Sequence, residues 1–124
     1  MAISMNATLR SNRADNITSF VGATGKLRVY TAGAATLLYE SLCAATFAPA
    51  ASGGVLTANA VGNATAVAAG TAAVARLYKN DGTTLVLDGL TVGTSGTNVV
   101  ITNTTIAVND VVTTSSLTIT EGNP

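Results

Sequence analysis

The chain has 124 residues, six basic and six acidic side chains, one Cys, no His and no Trp, so its formal net charge is zero. General acid–base, nucleophilic and metal-assisted chemistry draw on groups that are almost missing, which argues against an enzyme and against a bound cofactor or metal. The length fits one domain with a core of its own. With 48% hydrophobic but only 4% aromatic residues, that core is built from small aliphatic side chains, and such a domain gains stability from assembly with partners.

A pI of about 6.0 gives no electrostatic steering toward nucleic acid or anionic membrane, and neither is expected as a partner. Mean hydropathy is +0.45 and no charge falls between Glu40 and Arg76. Pro49, Gly53, Gly54, Asn59, Gly62 and Asn63 interrupt that stretch, so it does not read as a membrane-spanning helix. Arg10, Arg13 and Asp15 stand where a signal peptide has its apolar core, so a soluble chain without an export signal is expected. Cys43 has no partner for an intramolecular disulfide. It reads as a small buried hydrophobe in a reducing compartment.

The elements divide the chain into an N-terminal helix or arm, residues 1–24, and a β domain, residues 25–124. Leu9, Arg13, Ile17 and Phe20/Val21 recur at helical spacing, with Asn6 or Ser4 as a cap and Gly22 or Gly25 as a stop. They predict one amphipathic helix over residues 6–21. From Lys26 the period becomes two. Leu27 and Val29 face one way, and Lys26, Arg28 and Tyr30 the other, the pattern of a half-buried strand. Residues 36–42 predict a second strand that continues through 43–48 after a bend. Residues 49–54 predict a loop, and 55–61 and 64–69 weaker strands around Gly62-Asn63.

Residues 71–79 predict a strand with Arg76 and Tyr78 on one face and Ala75 and Leu77 on the other. It runs into Asn80-Asp81-Gly82, a hairpin signal because these residues tolerate the positive φ of primed turns. Residues 83–87 return, Asp88-Gly89 makes a second turn or a bulge, and residues 93–96 a loop. Residues 98–102, 105–108 and 111–120 complete about eight short strands. One helix followed by closely spaced strands, with no helical crossovers, predicts an all-β antiparallel sandwich or jelly roll.

Asp81, Asp88 and Asp110 fall in predicted turns, where Asp bonds its own backbone. They lack the spacing of a calcium loop. The Gly-rich run at 93–96 lacks the Lys and following helix of a phosphate loop. Tyr30, Tyr39 and Tyr78 suit packing or an interface better than a sugar platform, which would draw on Trp.

Four segments carry a resemblance: residues 25–31 (GKLRVYT), 51–60 (ASGGVLTANA), 81–84 with 92–97 (DGTT, VGTSGT) and 116–120 (SLTIT). In this order they resemble small virion proteins of tailed bacteriophages, above all the head decoration or cement proteins of short-tailed phages such as those of Bordetella. The resemblance implies a jelly-roll subunit on the outer surface of the phage head, made in the bacterial cytoplasm. It would bind the major capsid protein and its own copies as a dimer or trimer, with no small-molecule substrate. A tail or fibre module that binds a host surface glycan or protein is the alternative. On the cement reading the contact surfaces fall on Ile3, Leu9, Ile17 and Phe20 of the N-terminal segment and on Arg28, Tyr30, Arg76 and Tyr78 of the strands.

Overall fold

A computed structural model describes residues 6–120. Among these residues it holds one α-helix, α1 (Ala7–Val21), a short 3-10 turn (Ala32–Ala34), and eleven strands: β1 (Lys26–Tyr30), β2 (Leu37–Leu42), β3 (Val55–Thr57), β4 (Ala64–Thr65), β5 (Gly70–Thr71), β6 (Val74–Tyr78), β7 (Leu85–Gly93), β8 (Val99–Ile101), β9 (Thr105–Ile106), β10 (Val111–Val112) and β11 (Thr114–Thr120). The fold is all-β apart from α1. Seven strands form a curled sheet in the order β2-β1-β6-β7-β8-β11-β3, and β10-β4 and β5-β9 form two small pairs.

The helix begins and ends where its caps predict. The Asn6 side chain accepts the Thr8 N–H at 2.7 Å, and Gly22 leaves the helix at φ 71°, a conformation open to glycine without strain. Its buried side differs from the expected stripe. Ala14 and Val21 are buried and Ile17 packs against the same core, whereas Leu9 and Phe20 are half exposed. The rotation is set by polar contacts to the loop before β3. Asp15 accepts the Ala51 N–H at 2.7 Å and Ser11 accepts the Gly54 N–H at 3.1 Å. A side chain at Gly54, which lies at φ 79°, would run into Arg10. Two directed hydrogen bonds and a close backbone approach thus outweigh the exposure of two large apolar side chains.

The period of two holds in the ladder. β1 buries Leu27 and Val29, and β6 buries Ala75 and Leu77. The predicted hairpin joins β6 to β7, with the Lys79 N–H bonded to the Thr84 carbonyl at 3.0 Å and Gly82 at φ 72°. Only Gly82 in this loop takes positive φ, so it is a four-residue loop rather than a two-residue primed turn. The Asp81 carboxylate holds it by accepting the Thr83 and Thr84 N–H groups, each at 2.8 Å. Asp88-Gly89 does not end the strand. It is absorbed as an irregularity inside β7, with Gly89 at φ 72°, a bulge position suited to glycine.

Three expectations are corrected. Residues 43–48 form no strand. Phe47 and Ala48 are buried in an irregular segment, tied down where Asn59 donates its N–H to the Phe47 carbonyl and its Nδ2 to the Thr46 carbonyl. The long predicted strands at 55–61, 71–79 and 111–120 are shortened or split, so eleven strands replace about eight. The sheet is mixed rather than antiparallel, because β7 and β8 pair in parallel, Val92 with Val99 and Gly93 with Val100. A parallel return usually needs a crossover of a dozen or more residues. Here the overlap is two residues, a return of about 7 Å, which residues 94–98 can span. Asn98 holds this seam. Its Oδ1 accepts the Thr91 N–H and hydroxyl, its N–H donates to Thr91 Oγ1, and its Nδ2 donates to the Thr118 carbonyl. β7, β8 and β11 are thereby bound at one point.

The curl brings the β2 edge back toward the short strands. Gly62 and Val67 donate their N–H groups to the carbonyls of Leu42 and Leu38, and Ala66 donates to Asp110. The enclosed core is continuous from Ala14 and Val21 of α1 through Leu27, Tyr39, Phe47 and Leu77 to Ile101 and Leu117. Cys43 lies within it, and burial pushes its thiol pKa up to about 11. That environment suits a packing residue and opposes thiolate chemistry.

Candidate functional site: an arginine and tyrosine face

Four of the eight predicted contact residues come together. β1 lies between β2 and β6, and β6 lies between β1 and β7. Arg28 is opposite Glu40 on one side and Arg76 on the other. Lys26 is opposite Leu42 and Tyr78, and Tyr78 is opposite Leu85. Tyr30 is opposite Leu37 and Val74. Because alternate residues share a face, the outward side of these strands carries three rows. The middle row reads Glu40, Arg28, Arg76, Asp88 across the sheet.

The middle row is held by charge-assisted hydrogen bonds. Arg28 Nε donates to Glu40 Oε2, and Arg76 Nε donates to Asp88 Oδ1 at 3.0 Å. Lys26 Nζ lies 3.9 Å from Glu40 Oε1. The hydrogen bond to Glu40 raises the Arg28 pKa, the one to Asp88 raises that of Arg76, and Arg76 lowers that of Asp88. Each guanidinium also covers a ring on the other strand. Arg28 lies 4.6 Å from the Tyr78 ring centroid and Arg76 5.3 Å from that of Tyr30, within reach of a cation–π attraction. Burial, and then the hydrogen bond with Tyr78, raise the Tyr30 pKa against the lowering fields of Arg28 and Arg76. The result is a plate of planar, half-buried groups on a regular ladder. Arg and Tyr are enriched among the residues that dominate binding energy at protein interfaces.

The other predicted contacts are placed separately. Leu9 and Phe20 share the exposed side of α1, and the Phe20 ring lies under Lys79 Nζ at 4.6 Å. Ile17 is partly buried and packs against the core. Ile3 lies outside the described residues. Sequence reasoning missed Lys26, Glu40, Asp88 and Lys79 as members of the charged surface. The outward position of Lys26 beside Arg28 was its only local signal. Glu40 enters through strand pairing, and Asp88 through its ion pair with Arg76 at the irregularity in β7.

Little else among the described residues offers chemistry. Among the described residues no cluster of three or more His, Cys, Asp or Glu side chains is placed to hold a metal. A depression of about 140 Å³, lined by Thr102, Asn103, Thr105, Ile106, Asp110, Val111 and Val112, has a single carboxylate. Among the described residues no helix is long and apolar enough to cross a membrane. No family model, curated protein or solved structure matches the chain.

Proposed function

We propose that the chain is a capsid cement or decoration protein of a tailed bacteriophage. It works on the outer surface of the head, where it binds the major capsid protein and strengthens contacts between capsid subunits. On this reading the curled sheet and its two small pairs form a jelly-roll-like sandwich, and binding is mechanical rather than catalytic. Shell stability rises because the bound protein favours the assembled form. The observation that carries the reading is the Arg28, Tyr30, Arg76 and Tyr78 face, interface chemistry displayed on a regular ladder. The resemblance in residues 25–31 falls on the first strand of that ladder.

The test is the position of the protein in purified particles. Mass spectrometry and cryo-electron microscopy are expected to find it in many copies on heads. Particles stripped of it should lose heat resistance and regain it when the protein is added back. Its absence from virions, or its confinement to tails, would overturn the proposal.

A further inference from the structure

The order of charges on the Arg–Tyr face selects a partner. The middle row reads acid, base, base, acid: Glu40, Arg28, Arg76, Asp88. With neighbouring strands about 4.8 Å apart, it is about 14 Å long. Arg28 and Arg76 stand directly opposite each other, a placement that destabilises a sheet unless other charges offset it. Inside the chain each Arg is held through Nε by the acid on its outer flank. A guanidinium has five N–H donors in a fork; Nε goes to the acid, each Arg also bonds a tyrosine hydroxyl, Arg28 that of Tyr30 and Arg76 that of Tyr78, and the rest of the fork can meet a further acceptor. A third cation lies close by. Arg28 Nη2 and Lys26 Nζ are 2.9 Å and 3.5 Å from the point a Cβ on Gly82 would occupy.

The cations therefore lie at the centre of the row and the acids at its ends. The complementary row is base, acid, acid, base. A second copy of this chain laid face to face and in register does not supply it. The row reads the same from either end, so Arg would meet Arg in both orientations. Neighbouring carboxylates do supply it, because the Arg fork matches a carboxylate, and the flat Tyr rings shield the contact from water.

We infer that this face binds an acidic segment of a partner protein, with two neighbouring carboxylates seated over Arg28 and Arg76. The inference rests on the proposed capsid role only for which protein supplies that segment.

The test uses the full chain labelled with nitrogen-15 at low ionic strength, titrated in turn with a deca-glutamate peptide, a deca-lysine peptide and a short single-stranded oligothymidylate. Deca-glutamate is expected to shift the Nε–H signals of Arg28 and Arg76 in a saturable way that added salt weakens, and deca-lysine is expected to shift neither. Arg76→Gln should weaken the response several-fold while leaving the amide spectrum of the core unchanged. Asp88→Asn, which removes the internal competitor, should strengthen it. Absence of a saturable shift, an equal response to deca-lysine, or weaker binding in Asp88→Asn would overturn the inference. A stronger response to the oligonucleotide would also overturn it, replacing the acidic protein with a nucleic acid. None of these outcomes changes where the protein sits in a particle, so the capsid reading and this inference fail separately.

Discussion

The ladder from β2 to β7 and the short strands that close the curl are built on different principles. In the ladder, strands of five to nine residues pair over most of their length. Their buried positions are mostly aliphatic, with Tyr39 and Ser41 of β2 among them, and the middle row of the outer face carries ion pairs. The short pairs β4–β10 and β5–β9 overlap by two residues each. The residues buried in and beside them include Ala64, Ala66 and Ala72. Of the charged side chains among the described residues, only Asp110 lies in this region, and Val67, Val108 and Val111 are more than half exposed there. Side-chain clamps do what ladder length does elsewhere. Asn98 ties three strands, Asn59 holds the segment at Phe47, and Asp110 accepts the Ala107 N–H at 2.9 Å. Long pairing lets hydrophobic alternation fix register. Two-residue pairing cannot, so specific amide and carboxylate contacts take over.

Core truncation should break this contrast most forcefully. Leu77→Ala removes a fully buried ladder side chain and is expected to cost about 2–5 kcal/mol in urea unfolding. Ile106→Ala in β9, buried but lining the surface depression and in a two-residue pair, should cost less. Equal losses would show that the short pairs share the cooperativity of the ladder.

The junction between the two regions is expected to weaken in alkali. Cys43 follows β2, donates its N–H to the Gly25 carbonyl at 2.8 Å and is buried. Its thiol ionises near 9.0 in the unfolded chain and at about 11 in the folded one. The folded state keeps a proton that the unfolded state releases. The contribution is therefore fully present below pH 9 and is lost as pH rises to about 11, at roughly 1.4 kcal/mol per pH unit. Urea unfolding across this window should show a decline in the native chain that is shallower in Cys43→Ala. Parallel declines would refute a buried thiol at this position.

Asn98→Ala should cost about 1–3 kcal/mol, because it leaves several backbone and hydroxyl groups at the seam without partners. Hydrogen exchange at the Thr91 amide should accelerate more than exchange at Leu27 or Leu77. Uniform acceleration across the sheet would mean that the clamp supports the whole fold rather than one seam. The smallest effect belongs to the outer face. Arg76→Gln breaks the contact with Asp88, yet an exposed ion pair contributes little to stability. The melting temperature should barely move, and its salt dependence should flatten. A large drop would make the face part of the structural frame rather than a displayed surface.

Local signals were legible where one short segment carried them. Asn6 and Gly22 bounded the helix, the alternation around Leu27, Val29, Ala75 and Leu77 fixed two strands and their inward faces, and Asp81-Gly82 marked the hairpin. The rotation of α1 was hidden, because the spacing of Leu9, Ile17 and Phe20 imitates a buried stripe. The contacts of Ser11 and Asp15 with a loop distant in sequence turn Leu9 and Phe20 outward. Half of the charged face was legible as well. Arg28, Tyr30, Arg76 and Tyr78 each read as outward from their own strands, but nothing local showed that the two strands are neighbours.

Composition and period alone determined an all-β chain with one helix, few charges, and inner and outer faces along its longer strands. Those properties follow from each residue and its near neighbours. Tertiary structure decided that Arg28 meets Arg76 between Glu40 and Asp88, that β7 and β8 run in parallel, and that eleven strands rather than about eight form. The reason is physical. Strand order and register depend on closing loops of very different length around a common core, and that closure is a property of the whole chain.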